Sequence, residues 1–148
     1  MPFRILCLDG GGIRGVVAAT MLAEIEKQIP QPLNEYFNLI AGTSTGSILA
    51  AGIAKGLKSE EIIQMYRHQS PRIFPYKSRF SLKRLPLLFK YGLSAPKFSN
   101  KGLIEVLKEV FGETKLFDVI SPLLLVISYD TIERQPLIFK SLQLPLTW

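Results

Sequence analysis

Residues 3–15, FRILCLDGGGIRG, and residues 37–46, FNLIAGTSTG, each run from an apolar stretch directly into closely spaced glycines. A short apolar run bounded by glycine reads as a buried strand. After the first cluster, Val17, Met21 and Ile25 recur at helical spacing until Pro30 and Pro32 stop the helix. After the second, residues 45–55 form a small-residue helix closed by Gly56, a good left-handed C-cap. Ser59 stands as N-cap of a third helix, with Glu60 and Glu61 where the helix dipole favours acid. Ser99 or Asn100 opens a further helix that ends at Gly112. Residues 123–128 and 136–140 read as two strands joined by a polar turn around Glu133 and Arg134. This alternation predicts an α/β fold: a largely parallel central sheet flanked by helices.

With 148 residues the chain has room for one domain and hardly for two. At 47% hydrophobic and 20% charged it fits neither a disordered tail nor a collagen-like repeat. Its longest apolar runs, such as residues 123–127, fall far short of the ~18 residues a membrane span needs. The first residues lack the basic and cleavable pattern of a secretory signal. Cys7 is the single cysteine, which excludes an internal disulfide and fits a reducing compartment. Together with the one histidine, His68, it leaves too few soft ligands for zinc, so no metal or cofactor is expected. The expected location is cytoplasmic, with peripheral membrane contact left open.

The first glycine cluster satisfies G-x-G-x-x-G at Gly10, Gly12 and Gly15, a match that chance supplies only about 0.06 times in this length. A dinucleotide site would need an acid at the end of the second strand. That strand ends Ala41-Gly42-Thr43, and Glu35 precedes it, which argues against a dinucleotide. The other cause is an anion hole. Amides of Gly10, Gly11 and Gly12 at a helix start, with Arg14 beside them, suit the oxyanion of an acyl-transfer intermediate. A tight turn with no ligand is the plain alternative. The second cluster, Gly42 to Gly46, is G-x-S-x-G between strand and helix, the pattern of a nucleophile elbow. Ser44 is then the nucleophile, and the N–H of Thr45 joins the hole. No lysine follows Gly46, as a Walker loop would require.

A serine nucleophile needs a base. The α/β-hydrolase order of Ser, then acid, then His cannot be met, because His68 precedes both Asp118 and Asp130. His68 reads as a helix-end surface residue, Asp130 as an ordinary turn aspartate, and Asp9 as a brace for the glycine amides.

DGGGIRG followed by GTSTG resembles the N-terminal half of a patatin-like phospholipase domain. The similarity extends through KGLIEVLKEVFGE (101–113) and LLLVISYDTIERQPLIFKS (123–141). The resemblance implies a lipid acyl hydrolase with a Ser–Asp dyad, no histidine and an acyl lipid substrate. Ser44 would be the nucleophile, and Gly10, Gly11, Gly12 and Arg14 would form or support the oxyanion hole. The family's aspartate lies in an Asp-Gly-Gly or Asp-Gly-Ala motif, and none follows Ser44 here. Residues 1–148 are therefore expected to be the N-terminal part of such a domain, its sheet incomplete at the C-terminal end and the catalytic Asp absent. A catalytically inactive patatin-like fragment, serving as a lipid-binding or interaction module, is the alternative reading.

The net charge of +6 resides in one segment. Residues 70–97 hold Arg72, Lys77, Arg79, Lys83, Arg84, Lys90 and Lys97 and no acid, while the remainder has 11 basic and 12 acidic residues. The segment is long for a plain connection and is expected to contain short helices, one over residues 81–91 broken by Pro86. Its aromatics and leucines interleave with the cations. No nucleic-acid partner is expected, since no RNA-binding motif accompanies them. A solvated basic face and an interfacial patch for anionic membrane both remain open, and the mean hydropathy of +0.22 does not choose between them.

Overall fold

The computed structural model describes residues 2–74, Phe89 and residues 100–142. Most of the basic segment, including the helix expected over 81–91, lies outside the described residues. The elements in chain order are β1 (Ile5–Leu8), α1 (Gly15–Glu26), α2 (Leu33–Tyr36), β2 (Leu39–Thr43), α3 (Thr45–Ala54), α4 (Ser59–Ile73), α5 (Lys101–Phe111), β3 (Leu123–Asp130) and β4 (Gln135–Lys140). Short 3-10 turns lie at Gly12–Arg14 and Leu116–Asp118. Contacts divide the chain into two units, one of Met1–Tyr66 with Thr114–Trp148 and the other of Arg67–Glu113.

The first unit holds a four-stranded sheet in the order β1-β2-β3-β4. β1, β2 and β3 are parallel and β4 pairs antiparallel with β3, so the α/β fold expected from the sequence is the one observed. Leu6, Ile40 and Leu124 are aligned across the parallel strands, as are Leu8, Gly42 and Val126, which puts these residues on one face. Against that face pack Ala19 and Leu22 of α1, Leu49, Ala50 and Ile53 of α3, and Ile62, Ile63 and Tyr66 of α4. Each fully buried Leu or Ile there contributes about 1.5–3 kcal/mol relative to an exposed one.

Local chemistry explains the element ends. Gly56 at φ +91° closes α3, donating its N–H to Ile53 while Leu57 donates to Gly52. Asp130 Oδ1 accepts from Ile132 and Glu133 in the β3–β4 turn, where Arg134 takes φ +54°. The α4 start differs from expectation. Ser59 is already inside the helix and buried, and among the described residues its hydroxyl has no partner. The cap is made instead by Glu61, whose carboxylate accepts the Lys58 N–H at 2.8 Å, while Glu26 accepts the Ser59 N–H at 3.0 Å. Ser59 is enclosed, and carboxylates of α4 and α1 take over the capping role.

In the second unit Arg72 grips Glu109 through two bonds of 2.8 Å and reaches Glu105 at 3.2 Å. These bonds hold the Glu109 carboxyl below the usual carboxylate range. One of the seven cations of the basic segment is thus paired locally. Among the described residues, no helix is long and apolar enough to cross a membrane.

Candidate active site

Leu8 of β1 and Gly42 of β2 are aligned neighbours in the parallel ladder. The strands therefore end side by side, and the two glycine motifs that follow them must meet. Crevices beyond the carboxyl ends of parallel strands are where α/β sheets hold their ligands.

Ser44 sits between β2 and α3 at φ 52°, ψ −123°, with its side chain exposed. A side chain at positive φ costs on the order of 1–3 kcal/mol, so surrounding structure must enforce the conformation. The enforcement is visible. Ser47 donates its N–H to the Ser44 carbonyl at 3.0 Å and its hydroxyl to the Gly42 carbonyl at 2.7 Å. A Cβ on Gly42 would overlap the Gly46 carbonyl and approach the Ser47 nitrogen within 2.6 Å. One on Gly46 would overlap the Leu8 carbonyl. Both flanking glycines are required by close backbone approach, and the turn is held against the end of β1.

The first motif lies directly on this turn. A Cβ on Gly10 would come within 2.8 Å of Ser44 Cβ and 3.5 Å of Ser44 Oγ. The Gly10 N–H donates to Thr43 Oγ1 at 3.0 Å and the Gly11 N–H to Thr45 Oγ1 at 3.1 Å. The two threonines of G-T-S-T-G, and not Asp9, brace the glycine loop. Gly12, at φ +61°, begins the 3-10 turn and Thr45 begins α3. Amides in those first positions have no acceptor within their own helix. Arg14 folds back on the loop, donating its N–H and, at 3.4 Å, its Nε to the Gly11 carbonyl, with its side chain exposed.

Beneath the turn, Tyr66 donates its hydroxyl to the Thr45 carbonyl at 3.3 Å, and a Cβ on Gly15 would come within 2.7 Å of that hydroxyl. Burial pushes the Tyr66 hydroxyl up to about 12, so it remains a donor across neutral pH. Among the described residues none bonds to Ser44 Oγ. Asp9 is exposed, and His68 is exposed on α4 within the second unit.

The fold brings together Ser44, the glycines, Arg14 and Thr45, the residues that sequence reasoning had singled out. Sequence reasoning had not singled out the threonine hydroxyls or Tyr66. Threonine at both variable positions of G-x-S-x-G was the available signal for the first. For the second it was Tyr66 following Ile62 and Ile63 at helical spacing, which turns it to the core. Thr45→Val should destabilise the first unit by about 1–3 kcal/mol in urea unfolding, since the part-buried Gly11 N–H loses its acceptor. Thr43→Val should cost less, because water can reach the exposed Gly10 N–H. Equal costs would contradict this bracing scheme.

The sequence model described as Patatin-like phospholipase matches residues 6–145. Patatin-like protein 1 of Arabidopsis thaliana is 37% identical over 153 residues, covering 95% of this chain and 36% of that protein. The cGAMP-activated phospholipase of Pseudomonas aeruginosa is 39% identical over 118 residues, covering 79% of the chain and 33% of its own length. The namesake enzyme of Vibrio cholerae is 32% identical over 155 residues, with 93% and 41% covered. The chain spans 33–41% of the length of these three relatives.

Proposed function

Because this chain belongs to the patatin-like phospholipase family, we propose that it carries the nucleophile half of a serine lipid acyl hydrolase. The substrate is a carboxylic ester of a phospholipid or other acyl lipid. The observation that carries the proposal is the exposed Ser44 at positive φ with the backbone of Gly10 against its side chain.

Ser44 Oγ attacks the acyl carbonyl carbon and gives its proton to a base. The carbonyl oxygen becomes an oxyanion, which accepts from backbone amides. Gly10 and Gly11 already donate to threonine hydroxyls, so the donors assigned to the oxyanion are Gly12 and Thr45, with the Arg14 guanidinium adding positive charge. Each such donor is worth roughly 10²–10³ in rate. Collapse breaks the ester C–O bond, the alcohol leaves with the proton, and water then hydrolyses the acyl-Ser44 ester. Gly15, Gly42 and Gly46 serve by admitting backbone and Tyr66 at close range.

The base is assigned to an aspartate in the part of the family's length that this chain does not span. The proposed location is the cytoplasm, with peripheral contact at lipid surfaces. The other cations of residues 70–97 lie outside the described residues; as a feature of the sequence they support peripheral contact with anionic head groups, each cation near such a surface contributing about 1 kcal/mol.

A fluorophosphonate probe tests the nucleophile. Its phosphorus bonds to Oγ, fluoride leaves, and the serine proton goes to solvent. Labelling is expected at Ser44, absent in Ser44→Ala, and faster as pH rises because hydroxide promotes loss of the serine proton. Failure to label at Ser44 up to pH 9 would favour the inactive, lipid-binding reading.

A further inference from the structure

The two donors assigned to the oxyanion belong to different pieces of backbone. Gly12 opens the turn that leads into α1, whereas Thr45 is the first residue of α3. One oxygen has to accept from both, so the gap between the two helix starts decides whether they act together. Groups of this kind work only when held within about 0.5 Å of the productive geometry. Tyr66 of α4 touches both starts. Its hydroxyl donates to the Thr45 carbonyl at 3.3 Å, at the head of α3. Its ring lies against Gly15, the first residue of α1. A Cβ added there would stand 2.7 Å from the hydroxyl oxygen, 3.0 Å from Cζ and 3.3 Å from Cε1. Both residues are buried, Tyr66 in the cluster that also holds Ala19 of α1, Leu49 of α3 and Ile63 of α4. Phenylalanine would fill that space without a hydroxyl that needs a partner. The polar atom is directed instead at main chain one residue beyond Ser44.

We propose that Tyr66 is a positioning residue: by bridging the first residues of α1 and α3 it sets the spacing between the Gly12 and Thr45 amides. It acts only through those amides and does not touch substrate. The inference rests on the oxyanion assignment proposed above. Thr45 is then held from two directions, since its hydroxyl accepts the Gly11 N–H at 3.1 Å while its carbonyl accepts from Tyr66. Removing the phenol hydroxyl leaves the Gly11 bond in place, so the hole loosens while the turn survives.

The test follows fluorophosphonate labelling of Ser44 in the 148-residue chain, resolved into a limiting rate and a half-saturating probe concentration. Phosphonylation builds negative charge on the phosphoryl oxygen, and well-placed amides therefore raise the limiting rate. Tyr66→Phe should lower that rate about tenfold, less than the roughly 10²–10³ of a donor lost outright, with half-saturation unchanged. Gly15→Ala, which pushes the intact hydroxyl aside, should slow labelling to a similar extent. It takes the place of Tyr66→Phe if that variant lacks native circular dichroism. The double variant should be no slower than the slower single one, because both act through one contact. Ile63→Val, which removes a methylene from the same core, should lower the urea midpoint yet keep both labelling parameters at wild-type values. Wild-type rates in Tyr66→Phe and Gly15→Ala, multiplied effects in the double variant, or equal slowing by Ile63→Val overturn the positioning role and leave Ser44 as nucleophile. A wild-type chain that does not label at Ser44 overturns the oxyanion assignment, and this inference with it.

Discussion

Gly46→Ala is expected to prevent the first unit from folding, or to lower its stability by more than about 4 kcal/mol, a loss reserved for a few named mechanisms. The direction opposes helix propensity. Gly46 lies in the first turn of α3, where alanine would ordinarily gain about 1 kcal/mol. The added Cβ, however, would overlap the Leu8 carbonyl oxygen and come within 2.7 Å of its carbon and 2.8 Å of the Asp9 oxygen. These are backbone atoms at the end of a paired strand, so no rotamer change relieves the clash. α3 would have to move off β1, pulling Leu49, Ala50 and Ile53 out of the core. With a whole domain stable by about 5–15 kcal/mol, such a shift is not tolerated. Gly56→Ala sets the scale for conformation alone. Its φ is +91° and an added Cβ would meet only Asn34 Nδ2, at 3.5 Å, so the cost should be about 1 kcal/mol. Urea unfolding followed by circular dichroism separates the two. Similar midpoints for both variants would mean that α3 does not touch the end of β1.

The same contact marks what the sequence could and could not disclose. Strand-glycine-helix, met twice, was enough to place β1, α1, β2 and α3, because apolar period and glycine position are local signals. The side-by-side placement of the two motifs followed from parallel pairing. What escaped was tertiary. Thr45 was expected to contribute its N–H and Thr43 was given no role, yet the hydroxyls of both accept glycine amides that had been assigned to the oxyanion. Nothing in a one-dimensional pattern says which donor a buried hydroxyl will meet. Ser59 had the right residue type for a cap but the wrong surroundings, being enclosed on all sides.

The chain by itself is expected to hydrolyse p-nitrophenyl esters only weakly, and Ser44 carries the reason. Attack requires that a proton leave Oγ as the new bond forms, and among the described residues no carboxylate or imidazole bonds to that oxygen. In serine proteases, removing a member of the catalytic unit still leaves roughly 10³-fold acceleration over water from oxyanion donors and binding. That residue of activity is the expected ceiling here, rising with pH and without a plateau near neutrality. Ser44→Ala should bring it to the background rate. Ser44→Gly should do the same while raising stability by about 1 kcal/mol, because glycine occupies φ 52° without the crowding a Cβ brings. A gain in stability on losing the hydroxyl identifies strain held in place for function, in contrast to a turn that merely tolerates serine. Full turnover by the chain alone, with a pH plateau near 7 and loss in Ser44→Ala, would mean that a base acts from within these residues. Asp9, exposed in the loop beside Gly10, would then be the first to replace.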